Sequence, residues 1–290
     1  MSNIGKRMTG EFIGCFILGY IGLGTIYTAI VYKYGTVMEI GIMFGITITF
    51  AVIISAPISG AVLNPGITIA QALFRKFPWK LVPAYILAQV AGWFLGCLLL
   101  LATANDSVAM WETSLGIIRG NANDVYSAQI FLCNMPNMLG EMSLGLDLGS
   151  KATAWPVWAS VVNELLASML LMLSVAVFTD PKNRFRPPLQ FFPLWLGFIV
   201  ALAIMFFLPG STACMNSARD FGPRLALALF GWGDSTFPGL GWGLGGIWWV
   251  WWVVPTLGAI GALFLYEKVL CPSCTDNALA DKTAAQPENT

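Results

Sequence analysis

Six apolar runs of span length, near residues 8–32, 37–57, 81–104, 157–178, 190–208 and 247–267, constrain this chain more than any other feature it carries. A bilayer core takes about 20 apolar residues to cross as a helix. Inside it every backbone N–H and C=O must be paired within the protein, which leaves helices and closed barrels. Runs this long and this continuously apolar are helices. Two further segments, 65–74 and 217–230, are helix-like but half as long, and each opens on an Asn-containing turn. Composition agrees. Of 290 residues, 57% are hydrophobic and 10% charged, with Lys+Arg and Asp+Glu balanced at 15 each, where a soluble domain carries about 25% charged residues. That excludes a disordered chain and a soluble nucleic-acid binder with a basic face. His is absent, and Cys stands only at 15, 97, 133, 214, 271 and 274. Neither a zinc site nor a Ser-His-Asp arrangement is expected, and with them no metal, cofactor or enzymatic activity.

The first run, from Met8 to Tyr32, is too long for a signal-peptide core and lacks a small-residue cleavage pattern, so it is read as a retained span. The long polar connection is 105–156. With the N-terminus cytoplasmic, ten of the fifteen Lys and Arg fall on inner segments and five elsewhere. Two of those five, Arg219 and Arg224, belong to the second short helix. The positive-inside rule then places both termini in the cytoplasm and requires an even number of spans. Trp248, Trp249, Trp251 and Trp252 read as an interfacial anchor at the start of the last span.

An internal repeat organises these spans. Glu11 lies in the first and Glu164 in the fourth, each ionisable inside an apolar helix. Fifty-three residues after Glu11 comes Asn64, within Ser59-Gly-Ala-Val-Leu-Asn-Pro-Gly-Ile-Thr-Ile-Ala70; fifty-two after Glu164 comes Asn216, within Gly210-Ser-Thr-Ala-Cys-Met-Asn-Ser-Ala-Arg-Asp-Phe-Gly-Pro-Arg-Leu225. Each half therefore reads span with Glu, span, Asn-headed half-helix, span. Three spans per half is odd, so the halves run in opposite directions across the membrane, and their discontinuous helices meet at the midplane. Abutting N-termini present unpaired N–H groups and partial positive charge. Asn64 and Asn216 at the caps hold backbone N–H groups with their oxygens and leave amide donors for a cavity. Glu11 and Glu164 are placed to accept hydrogen bonds from the re-entrant loops rather than to relay protons.

At these residues the sequence resembles the aquaporin (major intrinsic protein) family, and within it the glycerol-conducting branch, over about residues 8–268. The family's two signatures are Asn-Pro-Ala. This chain departs at both, with Asn64-Pro65-Gly66 and Asn216-Ser217-Ala218. The run Ala218-Arg-Asp-Phe-Gly-Pro-Arg224, with Asp220 after the filter arginine, is similar to the glycerol-facilitator form, as is the stretch from Ile117-Ile-Arg-Gly120 to Met135-Pro-Asn137. Residues 138–156 resemble an insertion in the outer loop. The resemblance implies six spans with two re-entrant half-helices in one channel domain over 1–290, with repeats at about 8–104 and 157–268, an outer loop at 105–156 and a cytoplasmic tail from 269. It also implies a four-residue outer filter. By position this falls on Phe44 (usually Trp in glycerol channels), Ile204 (usually Gly), Ala213 (usually aromatic) and Arg219, as in the family. Bulk is thereby moved from one wall to the other.

The resemblance implies a passive channel in the plasma membrane for glycerol, other small uncharged polyols and water, excluding protons and ions, embedded in lipid and assembled as a homotetramer. The alternatives are a channel of this fold tuned to urea, metalloid acids, ammonia or small organic acids, and a non-conducting junction or scaffold member. Cys271-Pro-Ser-Cys274 is read as part of an ordinary tail, and Asn105-Asp-Ser107 matches the glycosylation pattern beside the membrane.

Overall fold

The computed structural model describes residues 3–121, 123–133, 157–237 and 248–270. The insertion at 138–156, Met135-Pro-Asn137 and the Cys271 and Cys274 pair lie outside them. Among the described residues, six helices are long and apolar enough to cross a membrane: α1 Ile4–Val31, α2 Val37–Ser59, α4 Trp79–Ser114, α5 Trp158–Thr179, α6 Leu189–Ser211 and α8 Val250–Leu270. Between α2 and α4 lies the half-helix α3, Pro65–Phe74, and between α6 and α8 the half-helix α7, Ser217–Leu229. The chain is an all-helical multi-pass membrane protein with an inverted repeat.

Local sequence explains the element ends. Thr36 and Glu39 form a capping box at the start of α2, satisfying N–H groups the helix leaves open. That helix stops at Gly60, whose φ of 89° is the left-handed conformation glycine adopts without strain. At the matching place α6 stops at Thr212, with φ 61°.

Packing follows the repeat. α1 packs on α4 and α2, and α5 packs on α8 and α6 in the same way. Each half-helix crosses to the other repeat's third span, α3 against α8 and α7 against α4. α2 and α6 meet where the repeats join. There Gly45 and Gly197, equivalent positions 152 residues apart, lie so close that a Cβ on either would sit 2.5 Å from the other's carbonyl oxygen. With no hydrophobic drive between helices in lipid, such small-residue approaches carry the packing.

Several boundaries differ by three or more residues from the sequence reading. α1 begins at Ile4 and α8 runs to Leu270. More notably, α4 continues to Ser114, so residues 105–114 are helix rather than loop. Two of the polar residues there are tied to Arg119: Asn105 accepts from its Nη1 at 2.7 Å and Glu112 from its Nε at 2.8 Å. The tryptophan cluster also differs, because helix geometry faces its members in different directions. Trp249 is exposed, whereas Trp251 is buried with Cys133, Cys214, Val250 and Val254 and anchors nothing in lipid.

Candidate functional site

The site begins with the two loops that lead into the half-helices. Glu11 Oε1 accepts from Ser59 Oγ at 2.6 Å and from the Val62 amide at 3.0 Å, and Oε2 accepts from the Leu63 amide and Gln89 Nε2, both at 2.7 Å. Glu164 repeats the pattern: Oε2 accepts from Ser211 Oγ at 2.9 Å and the Cys214 amide at 3.0 Å, and Oε1 from the Met215 amide at 2.5 Å. Gln89 has no counterpart, but the serine and the two amides correspond residue for residue at the same 152-residue offset. So does the backbone. Ala61 and Leu63 in one loop, Ala213 and Met215 in the other, hold left-handed φ between 47° and 53°. Non-glycine residues resist that conformation by roughly 1–2 kcal/mol each, and the carboxylates offset it by holding the amides the loops present. Both glutamates are fully buried.

The two caps meet head to head. Asn64 Oδ1 accepts from the Gly66 and Ile67 amides at 2.9 and 3.4 Å, and Asn216 Oδ1 from the Ala218 and Arg219 amides at 3.0 and 3.4 Å. Each then donates across the junction, Asn64 Nδ2 to the Met215 carbonyl and Asn216 Nδ2 to the Leu63 carbonyl, both at 2.8 Å. A side-chain amide has two N–H donors, so each Asn keeps one for the cavity it lines.

Both departures from Asn-Pro-Ala face one turn of α8. A Cβ at Gly66 would lie 3.0 Å from Thr256 Cα and 3.3 Å from the Pro255 carbonyl oxygen. Ser217 Oγ donates to the Trp252 carbonyl at 3.1 Å and lies 3.4 Å from Thr256 Oγ1.

A continuous cavity runs past these caps. Its wall is largely apolar, with Ile40, Phe44, Ile48, Val200 and Leu208 on the spans, and loop residues 60–63 and 212–215 opposite. All four positions carried over for the filter, Phe44, Ile204, Ala213 and Arg219, line it. The Phe44 ring packs against Gly22, where a Cβ would lie 3.1 Å away. Arg219 is buried, and its Nη1 donates to the Phe131 carbonyl at 2.7 Å. That carbonyl is fixed in turn. Asp220 Oδ1 accepts from the Cys133 amide at 2.9 Å, and Oδ2 from Arg224 Nε at 2.6 Å. Arg224 Nη2 donates to the Cys133 carbonyl at 2.6 Å and Nη1 to the Thr236 carbonyl at 2.7 Å. The Asp220–Arg224 pair is wholly buried and ties the 131–133 loop to α7. Just after α7, Trp232 packs edge-on against Phe131 and carries the Arg119 guanidinium on its face, 3.8 Å from the ring centroid. At the opposite end Arg75 ties α3 to Glu267 at 2.7 Å and to Thr179 at 2.9 Å, beside the cavity wall.

Sequence reading missed Phe131, Cys133, Arg224, Gln89 and the paired serines. Ser59 and Ser211 share the repeat offset, Gln89 is a lone amide in an apolar span, and Arg224 follows Asp220 at i+4, so each left a trace. Phe131 acts through its backbone oxygen and left none.

The chain is similar to several known proteins. The Major intrinsic protein family matches residues 1–266. The chain is 33% identical over 239 residues to the propanediol uptake facilitator of Citrobacter freundii, covering 82% of each chain. It is 32% identical to the glycerol uptake facilitator protein of Haemophilus influenzae, covering 90% of this chain and 92% of that one. Among solved structures, the aquaglyceroporin from Plasmodium falciparum superposes with a TM-score of 0.75 at 22% identity, covering 94% of this chain and 99% of that one.

Proposed function

The chain belongs to the major intrinsic protein family, and from that membership we propose that it is a passive channel for glycerol, other small uncharged polyols and water. The observation that carries the reading is the cavity itself, an apolar wall broken by one buried cation, Arg219, and by two capping amides. The apolar side accommodates a carbon backbone while Arg219, Asn64, Asn216 and the loop carbonyls replace the hydroxyls' water hydrogen bonds. Phe44, Ile204, Ala213 and Arg219 form the filter, and Asn64-Pro65-Gly66 with Asn216-Ser217-Ala218 form the pore motif. Glu11, Glu164 and Asp220 support the loops. Protons and cations are turned back by Arg219 and by the two half-helix N-termini. The relatives named for propanediol and glycerol uptake support this solute class. In this reading the whole chain is one channel domain in the plasma membrane, with both termini cytoplasmic, and it works as a homotetramer.

The test is stopped-flow light scattering on proteoliposomes given water, glycerol, urea and a five-carbon polyol gradients. Faster equilibration of water and glycerol than in empty liposomes supports the channel. A glycerol rate equal to that of empty liposomes, in folded protein, rejects it.

A further inference from the structure

Among the described residues, five carry a buried side-chain nitrogen or oxygen without a hydrogen-bond partner, and one of those side chains, Trp93, lines the cavity. Its indole N–H is fully enclosed and unpaired within the protein. A buried tryptophan N–H ordinarily finds an acceptor, and an orphaned one in a native fold calls for an explanation.

Position supplies it. Trp93 lies on α4 one turn after Gln89 and one turn before Cys97. Gln89 reaches Glu11 and Thr68, at the level where α3 begins. Cys97 lies close enough to Arg219 to interact with its charge. At about 1.5 Å rise per residue, Trp93 therefore falls between the Asn junction and Arg219. Leu18, Phe44, Ile204 and Leu208 also line the cavity and are apolar. The ring has little freedom to turn elsewhere, since its backbone is wedged between two helices. A Cβ at Gly222 of α7 would lie 2.7 Å from Trp93 Cβ, and one at Gly19 of α1 would lie 2.9 Å from the Trp93 carbonyl oxygen.

We infer that the Trp93 indole N–H donates a hydrogen bond to the permeating molecule and is a specificity-determining donor between the Asn pair and Arg219. A hydroxyl leaving Arg219 meets this donor before it reaches the caps. Without it, the hydroxyl can still donate to the loop carbonyls but its oxygen crosses that stretch without a donor. Water in single file keeps bonds to its neighbours, so a polyol loses more than water does.

The inference rests on the channel reading, and one experiment separates them. Trp93→Phe keeps an aromatic ring and removes the donor. In proteoliposomes its glycerol flux should fall about two- to tenfold, the worth of one net hydrogen bond, with water flux falling less. If wild-type liposomes pass no glycerol, the channel reading fails. If they do, and folded Trp93→Phe keeps the wild-type ratio of glycerol to water flux, the donor role is overturned. A second measurement stands if the variant fails to assemble. In wild-type protein labelled with indole ¹⁵N, one buried N–H signal should move with glycerol but not with sucrose at equal osmolality. If no signal moves, the role is likewise overturned.

Discussion

Replacing Glu164 by Gln tests the loop geometry with the smallest change in shape. The carboxylate accepts from Ser211 Oγ and the Cys214 amide on one oxygen and from the Met215 amide on the other. Glutamine turns one of those atoms into an NH₂ group. Facing one way it strands the Met215 N–H; facing the other it strands that of Cys214, while the Ser211 hydroxyl can rotate to accept. Either way one buried backbone donor is lost, at about 1–3 kcal/mol. The two bonds that remain pass from charge-assisted to neutral, a further loss of about 1 kcal/mol each. Sparing the burial of a charge returns part of this, so the net destabilisation should be about 3 kcal/mol. Glu11→Gln should behave alike, stranding Val62 or Leu63. Unfolding in mixed SDS micelles, followed by tryptophan fluorescence, gives the values. Both variants lying within about 1 kcal/mol of wild type would refute the account, since the same two-sided conflict must arise at both sites.

Arg219→Val should raise proton and cation leak, measured by pH-dye quenching in liposomes under a potential, while glycerol flux persists; unchanged leak would place the barrier at Asn64 and Asn216. Arg224→Met leaves the buried Asp220 carboxylate bonded to the Cys133 amide but without its counter-charge and should cost about 3–5 kcal/mol in the same micelle assay, where wild-type stability would show the clamp to be dispensable. Ala213→Phe should slow a five-carbon polyol far more than water, because an added ring obstructs in proportion to solute cross-section; equal slowing of both would remove Ala213 from the constriction.

Much of this was legible because the chain states it twice. Apolar run length and the Asn64 and Asn216 turns carry the six spans and two half-helices, and a second copy at constant offset turns each coincidence into a pattern. Buried glutamates stand out because a charged side chain in an apolar run needs a reason. What stayed hidden is held by backbone or by distant contacts. The Phe131 carbonyl that fixes Arg219 has no side-chain signature, and the continuation of α4 to Ser114 depends on Arg119 folding back on Asn105 and Glu112. The Trp248–Trp252 cluster misled for a related reason. Composition marks an interface, but the helical rotation of about 100° per residue sends Trp251 inward and Trp249 out.

The two irregular pore motifs illustrate how departures that read as independent in sequence become one event in space. Gly66 lacks a methyl where α8 comes closest, with Thr256 Cα 3.0 Å from where a Cβ would stand. Ser217 occupies the first helical position of α7, a place that suits proline because its missing N–H is not needed there. Serine gives up that preorganisation and gains a donor, spent on the Trp252 carbonyl that Thr256 Oγ1 also binds, at 2.8 Å. One turn of α8 thus touches the start of both half-helices, against glycine in one repeat and through a hydroxyl in the other. Alanine at 66 would press on α8, and proline at 217 would remove the bond to Trp252, so both departures are set against the same turn of α8. The symmetry of the repeat is kept at the glutamates, the loop dihedrals and the Asn pair, where the pore needs it. It is relaxed just after the asparagines, where α8 meets a glycine from one repeat and a serine hydroxyl from the other.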